Sequence, residues 1–79
     1  MSIKIFLSST LRKYQPGYDS LKGLEMAVDG KATVTDVCLK INIPPEKIRV
    51  IMVNGKSASP DYILTGDERV ALFPPVGGG

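Results

Sequence analysis

Side chains that alternate apolar and polar at every second residue recur four times along this chain, and that period confines it to a structure built around a β-sheet. Ile3, Ile5 and Leu7 alternate with Lys4, Phe6 and Ser8; Leu24, Met26 and Val28 alternate up to an Asp29-Gly30 turn. Ile48, Val50 and Met52 alternate with Arg49, Ile51 and Val53, a run apolar on both sides as a central strand would be. Val70 and Leu72 alternate with Arg69, Ala71 and Phe73. Helical spacing occurs once, at Val34, Val37, Cys38 and Ile41. Thr33 or Thr35 is placed to cap that helix, Asp36 falls in its first turn where it favours the helix dipole, and Pro44-Pro45 is expected to stop it.

The connections fit this order. Leu11 to Gly23, with Pro16 and Gly17, reads as a long link between the first two strands, and Asn54-Gly55 supplies a tight hairpin turn because both residues tolerate positive φ. Asp61 to Leu64 reads as a short connection into Thr65-Gly66-Asp67-Glu68, and the last two of these as turn residues. The predicted architecture is α+β: two strands, one main helix, then two or three strands, with a single sheet of four to five strands packed on the helix. The 79 residues make one domain, 1–76, followed by a glycine tail, 77–79. A domain this small buries only about 60% of its unfolded surface, which leaves no room for a deep catalytic cleft.

Composition narrows the function. Ten Lys and Arg residues are interleaved with eight acids for a net charge of +2, a solvated surface rather than a nucleic-acid-binding stripe. Arg12, Lys13 and Tyr14 are read as part of that surface. There is no histidine and only one cysteine, so a metal site is not expected. A lone cysteine with no secretory signal predicts a reducing, cytoplasmic setting, and no apolar run approaches the roughly 20 residues that span a bilayer. Cys38 is a conceivable sulfur-bearing group, as a persulfide, but its helical spacing assigns it to the core as a small hydrophobe.

The chemistry is expected at the C-terminal end of the sequence. Pro74-Pro75 cannot donate to a sheet ladder, so the last strand stops there, and Gly77, Gly78 and Gly79 after Val76 have no side chains with which to dock. A tail so slender can thread a narrow tunnel, and the carboxylate of Gly79 has no β-carbon to shield it from a nucleophile. A carboxylate is a poor electrophile until activated, most simply as an acyl-adenylate made from ATP by another protein. Phe73 and Phe6 are predicted on the outer face of neighbouring strands, where they would form one apolar patch for a partner.

The run Phe73-Pro74-Pro75-Val76-Gly77-Gly78-Gly79 resembles the terminus of the β-grasp sulfur carriers, namely the small subunit of molybdopterin synthase (MoaD) and the thiamine sulfur carrier (ThiS). Ile3-Lys4-Ile5-Phe6-Leu7 with Leu11-Arg12, Thr33-Val34-Thr35-Asp36-Val37, Val53-Asn54-Gly55 and the stretch from Leu64 to Phe73 are similar to the family in the same order. Ser8 and Ser57 depart from the apolar residues the molybdopterin carriers tend to show. The resemblance implies a ubiquitin-like β-grasp fold and a non-enzyme that acts as carrier or co-substrate. It implies Gly79 as the site of adenylation and of a thiocarboxylate, with Gly77 and Gly78 as its tail, and a partner surface at Phe73, Pro74, Pro75, Val76 and Phe6. No stably bound cofactor is expected; ATP is used by the activating partner. The implied partners are an adenylating enzyme of the ubiquitin-activating type, a sulfur donor protein, and either the large subunit of molybdopterin synthase or thiazole synthase. The alternative within the same fold is a protein modifier joined to lysines by isopeptide bonds.

Overall fold

A computed structural model of the chain describes residues 1–75. Five strands form one mixed sheet: β1 Ser2–Leu7, β2 Leu24–Ala27, β3 Val50–Val53, β4 Lys56–Ser57 and β5 Arg69–Phe73, with α1 Val34–Lys40 packed across one face. The spatial order is β2-β1-β5-β3-β4. The first and last strands therefore lie side by side in the middle, parallel, with Lys4 opposite Arg69 and Leu7 opposite Leu72. The remaining pairs are antiparallel. This is the β-grasp arrangement.

Period-two alternation works as it should on the helix-facing side. Ile3, Ile5 and Leu7 of β1, Val70 and Leu72 of β5, and Ile51 and Val53 of β3 are buried against Val34, Val37, Cys38 and Ile41, with Leu11, Ile43 and Leu64 closing the ends. Thr33 proves to be the cap. Its hydroxyl accepts from the Asp36 N–H (3.1 Å) while the Asp36 carboxylate accepts from the Thr33 N–H (3.0 Å), a reciprocal capping box.

Three details differ from the sequence expectation. The helix is ended not by the proline pair but by Asn42, whose positive φ of 64° turns the chain into the left-handed region. The Ile43 N–H then donates to the Cys38 carbonyl (2.9 Å) and the Asn42 N–H to that of Leu39 (3.2 Å), a Schellman closure that satisfies the helix's last carbonyls and drops Ile43 into the core. The link after β1 is not featureless, because Ser9–Tyr14 winds into a 3-10 helix that buries Leu11. Lastly, β3 begins at Val50 rather than Ile48 and lies one place in from the sheet edge; the central partner of β1 is β5. With helix on one face only, the apolar side chains on the other face of β3 have no layer above them.

Candidate functional site: the outer sheet face and the exit of the last strand

The outer face collects the odd-parity residues of β5 and their register partners. Ala71 lies between Phe6 of β1 and Met52 of β3, and Phe73 lies opposite Val50. Phe73 is 36% exposed and Val50 41%, with Met52, Ala71 and Phe6 partly covered. Phe73 and Phe6 thus share the face to which alternation assigned them. Their surroundings differ. The Phe6 ring lies under the Arg69 guanidinium, 4.4 Å from ring centroid to the guanidinium carbon, and so close to Gly23 that a β-carbon there would stand 3.0 Å from the ring. Phe73 has the open side of the patch, next to Val50. Val50 and Met52 belong to this surface although the sequence reading placed β3 centrally; the clue was an apolar outer stripe on a strand for which a one-helix fold offers no second covering layer.

Pro74 and Pro75 follow at once, leaving the sheet beside the 3-10 helix. They line a groove of about 300 Å³ with Thr10, Leu11, Lys13, Tyr14 and Lys47. The predicted tail, Val76, Gly77, Gly78 and Gly79, lies outside the described residues.

The root of the tail is held firmly. The Arg49 N–H donates to the Phe73 carbonyl (2.8 Å) and the Ser8 N–H to that of Leu72 (3.2 Å), so β5 is bonded on both sides to its last residues. Beyond Ile5, β1 has no further partner in β2. Its end is completed by side chains instead: the Leu7 N–H donates to the Tyr18 hydroxyl (2.8 Å) and Arg12 Nε to the Leu7 carbonyl (3.1 Å). Arg12 is therefore a strand-end clamp, not merely a solvated charge, and it sits 5.9 Å from the Tyr18 ring centroid.

At the start of β5, Glu68 is only 6% exposed, which the turn reading missed. Burial alone would raise its pKa, but its carboxylate accepts from the Thr65 N–H and hydroxyl (both 2.9 Å) and the Gly66 N–H (2.6 Å), and these bonds lower the pKa below its ordinary value. Glu68 ties the loop 65–68 to the start of β5. Cys38 is 2% exposed, and burial pushes its thiol up to about 11. Its neutral form dominates at physiological pH, which removes the thiolate a sulfur-transfer cysteine needs.

Elsewhere a groove of about 560 Å³ runs between β2 and α1, where Lys31 and Lys40 are balanced by Asp29 and Asp36. Among the described residues no group of three or more His, Cys, Asp or Glu side chains could hold a metal, and no helix is long and apolar enough to cross a membrane.

The sequence model of the ThiS family matches residues 16–79, through the glycine tail to Gly79. The chain belongs to the ThiS family. No curated protein matches it by sequence. Among solved structures it is similar to SAMP1 from Haloferax volcanii (23% identity, TM-score 0.70, all of both chains covered). It is also similar to a Haloferax volcanii protein solved in solution (23%, TM-score 0.75, all of this chain and 87% of that one). A third likeness is to a protein described as molybdopterin converting factor subunit 1 from Pyrococcus furiosus (23%, TM-score 0.69, 96% of this chain and 99% of that one). At these identities the structures establish the ubiquitin-like β-grasp fold; membership places the chain in a family of small sulfur carriers that work with partner enzymes.

Proposed function

We propose that this protein carries sulfur as a thiocarboxylate on Gly79 and delivers it in the biosynthesis of molybdopterin or its tungsten counterpart. The observation that carries the reading is the ThiS-family match running through Gly79, on a fold whose last strand stops at Pro74-Pro75 beside an exposed apolar face. An adenylating enzyme of the ubiquitin-activating type binds that face and takes the tail. The Gly79 carboxylate attacks the α-phosphorus of ATP, pyrophosphate leaves, and an acyl-adenylate forms. Hydrosulfide supplied by a sulfur donor protein then adds to the acyl carbon, AMP departs, and the thiocarboxylate remains. The small size of Gly78 and Gly79 keeps the acyl carbon open on both sides, while Phe73, Phe6, Pro74, Pro75 and Val76 supply the contacts with successive partners. The molybdopterin branch is favoured by the Phe73-Pro74-Pro75-Val76 run and by the likeness to the Pyrococcus furiosus protein. Thiazole formation for thiamine uses the same tail chemistry.

A modifier role is the second reading, favoured by the full-length likeness to SAMP1, a relative also described as small archaeal modifier protein 1. Intact-mass measurement of the protein from its native cell separates the two. A carrier shows the mass shift for one terminal oxygen exchanged for sulfur; a modifier shows higher-mass conjugates linked to lysine. Deleting Gly79 should abolish either product with the melting temperature unchanged, because a terminal glycine beyond the last strand contributes little to stability. A variant that keeps full transfer overturns the proposal.

A further inference from the structure

We infer that the lysines beside the root of the tail, Lys13 and Lys47, form an electrostatic dock for an acidic rim around the tunnel mouth of the adenylating partner. The inference rests on the carrier reading above and adds a second, polar element to the apolar face.

Lys13 and Lys47 are far apart in sequence and come from different elements, the 3-10 helix Ser9–Tyr14 and the short one at Pro45–Lys47. The fold brings them to one groove, lined also by Thr10, Leu11, Tyr14, Pro74 and Pro75. Both are exposed. Arg49 joins the same end of the sheet through its backbone bond to Phe73, and Arg12 lies next to Lys13, while Glu46 is the one acid in either of these two segments. The contrast with the β2–α1 groove is clear, since there two lysines face two aspartates and no net sign results. The groove beside Pro74 and Pro75 therefore holds two lysines and no acid, on a molecule whose net charge is only +2.

Neither lysine has a structural duty that explains its place. The Lys13 ammonium lies 5.5 Å from the Tyr14 ring centroid, a weak exposed contact, and no hydrogen bond of the fold uses either side chain among the described residues. Nor do the lysines suit the reacting phosphate. The segment 76–79, stretched into a tunnel, sets the acyl carbon up to about 14 Å beyond Pro75, well past the reach of a side chain at the tail's root. What lies within their reach, when the tail is inserted, is the surface around the tunnel mouth. Carboxylates there would meet the lysines, and the groove would accept the methylene stem of a glutamate. Rim charges of this type chiefly raise the rate of encounter and fix orientation, and they fade with salt.

The test is carrier-dependent ATP–pyrophosphate exchange by the same cell's adenylating enzyme. It uses the wild-type protein, the pair Lys13→Glu with Lys47→Glu, and a control pair of equal charge change, Lys31→Glu with Lys40→Glu, in the other groove. The first pair should raise KM roughly ten-fold at low salt, within the range of electrostatic steering. The rise should shrink in high salt, with kcat at saturation preserved; the control pair should leave KM near wild type. Unchanged KM in the first pair, or an equal rise in both pairs, overturns the dock and leaves the carrier reading standing. If the wild type supports no exchange while its tail is intact, the carrier reading fails and this inference with it. Should the charge-reversed pair melt early, Lys13→Gln with Lys47→Gln is measured instead, and a KM equal to wild type again overturns the dock.

Discussion

The two faces of the sheet are made by the same strands and fare differently. On the inner face Ile3, Ile5, Leu7, Val70 and Leu72 are buried beneath α1; one residue along, Phe73 and Val50 remain open to solvent and Met52 and Ala71 half so. Among the described residues one α-helix covers a five-stranded sheet, and one face goes without. A surface that needed only solubility would be polar there. Apolar residues kept on the uncovered side fit the proposal that a second molecule supplies the missing layer. The inner row also has a polar member. Glu68 continues the parity of Val70 and Leu72, and its carboxylate is tolerated only because Thr65 and Gly66 donate to it.

That contrast can be attacked from both sides. Leu72→Ala removes an inner side chain with no exposure and should cost about 2–5 kcal/mol by urea unfolding; a loss as small as that of an outer-face variant would mean the two faces are equivalent. Glu68→Ala leaves the donors of Thr65 and Gly66 without their acceptor and should cost about 1–3 kcal/mol at neutral pH. The wild type carries the matching pH signature. Because the folded pKa lies below the unfolded one, the contribution of Glu68 is complete above the unfolded value and disappears as pH falls through the folded value. The acid limb of the stability profile should therefore flatten in the variant, and identical limbs would remove Glu68 from the account.

On the outer face, Phe73→Ala should weaken the adenylating partner's grip by ~2 kcal/mol, as a hot spot would. Its stability should move by no more than about 0.5 kcal/mol, typical of surface sites. A calorimetric titration beside a melt reads both, and a stability loss without a binding loss would return Phe73 to the core. The seat of the Phe6 ring is tested by Gly23→Ala. Gly23 has a φ of 72°, and its β-carbon would stand 2.9 Å from the Ile5 carbonyl oxygen and 3.0 Å from the Phe6 ring. Because the backbone itself must shift, the strain should cost about 1–3 kcal/mol and tilt the ring from beneath Arg69; an unchanged Phe6 environment by NMR would show that Gly23 does not seat it.

What was readable in advance depended on how locally each feature is encoded. Alternation in Ile3 to Leu7 and Arg69 to Phe73 names the inner and outer residues because a strand's side chains must point to opposite faces, whatever the strand lies beside. The Thr33–Asp36 box spans four residues, and the Asn54-Gly55 turn two, so both are legible without the fold. The motif order that marks the family, ending in the glycine tail, is a property of the chain as written.

Other features are set by neighbours distant in sequence. That β5 inserts between β1 and β3 depends on pairing residues more than sixty positions apart, a choice made by which arrangement buries both ends of the chain under one helix. The same choice exposes Val50, lays Arg69 over Phe6, buries Glu68, and brings Lys13 and Lys47 to one groove with Pro74 and Pro75. Sequence periodicity by itself determined which residues face in and which face out; only the tertiary structure decided which outward residues are covered, because coverage is a property of the surfaces that meet, and those surfaces come from different parts of the chain.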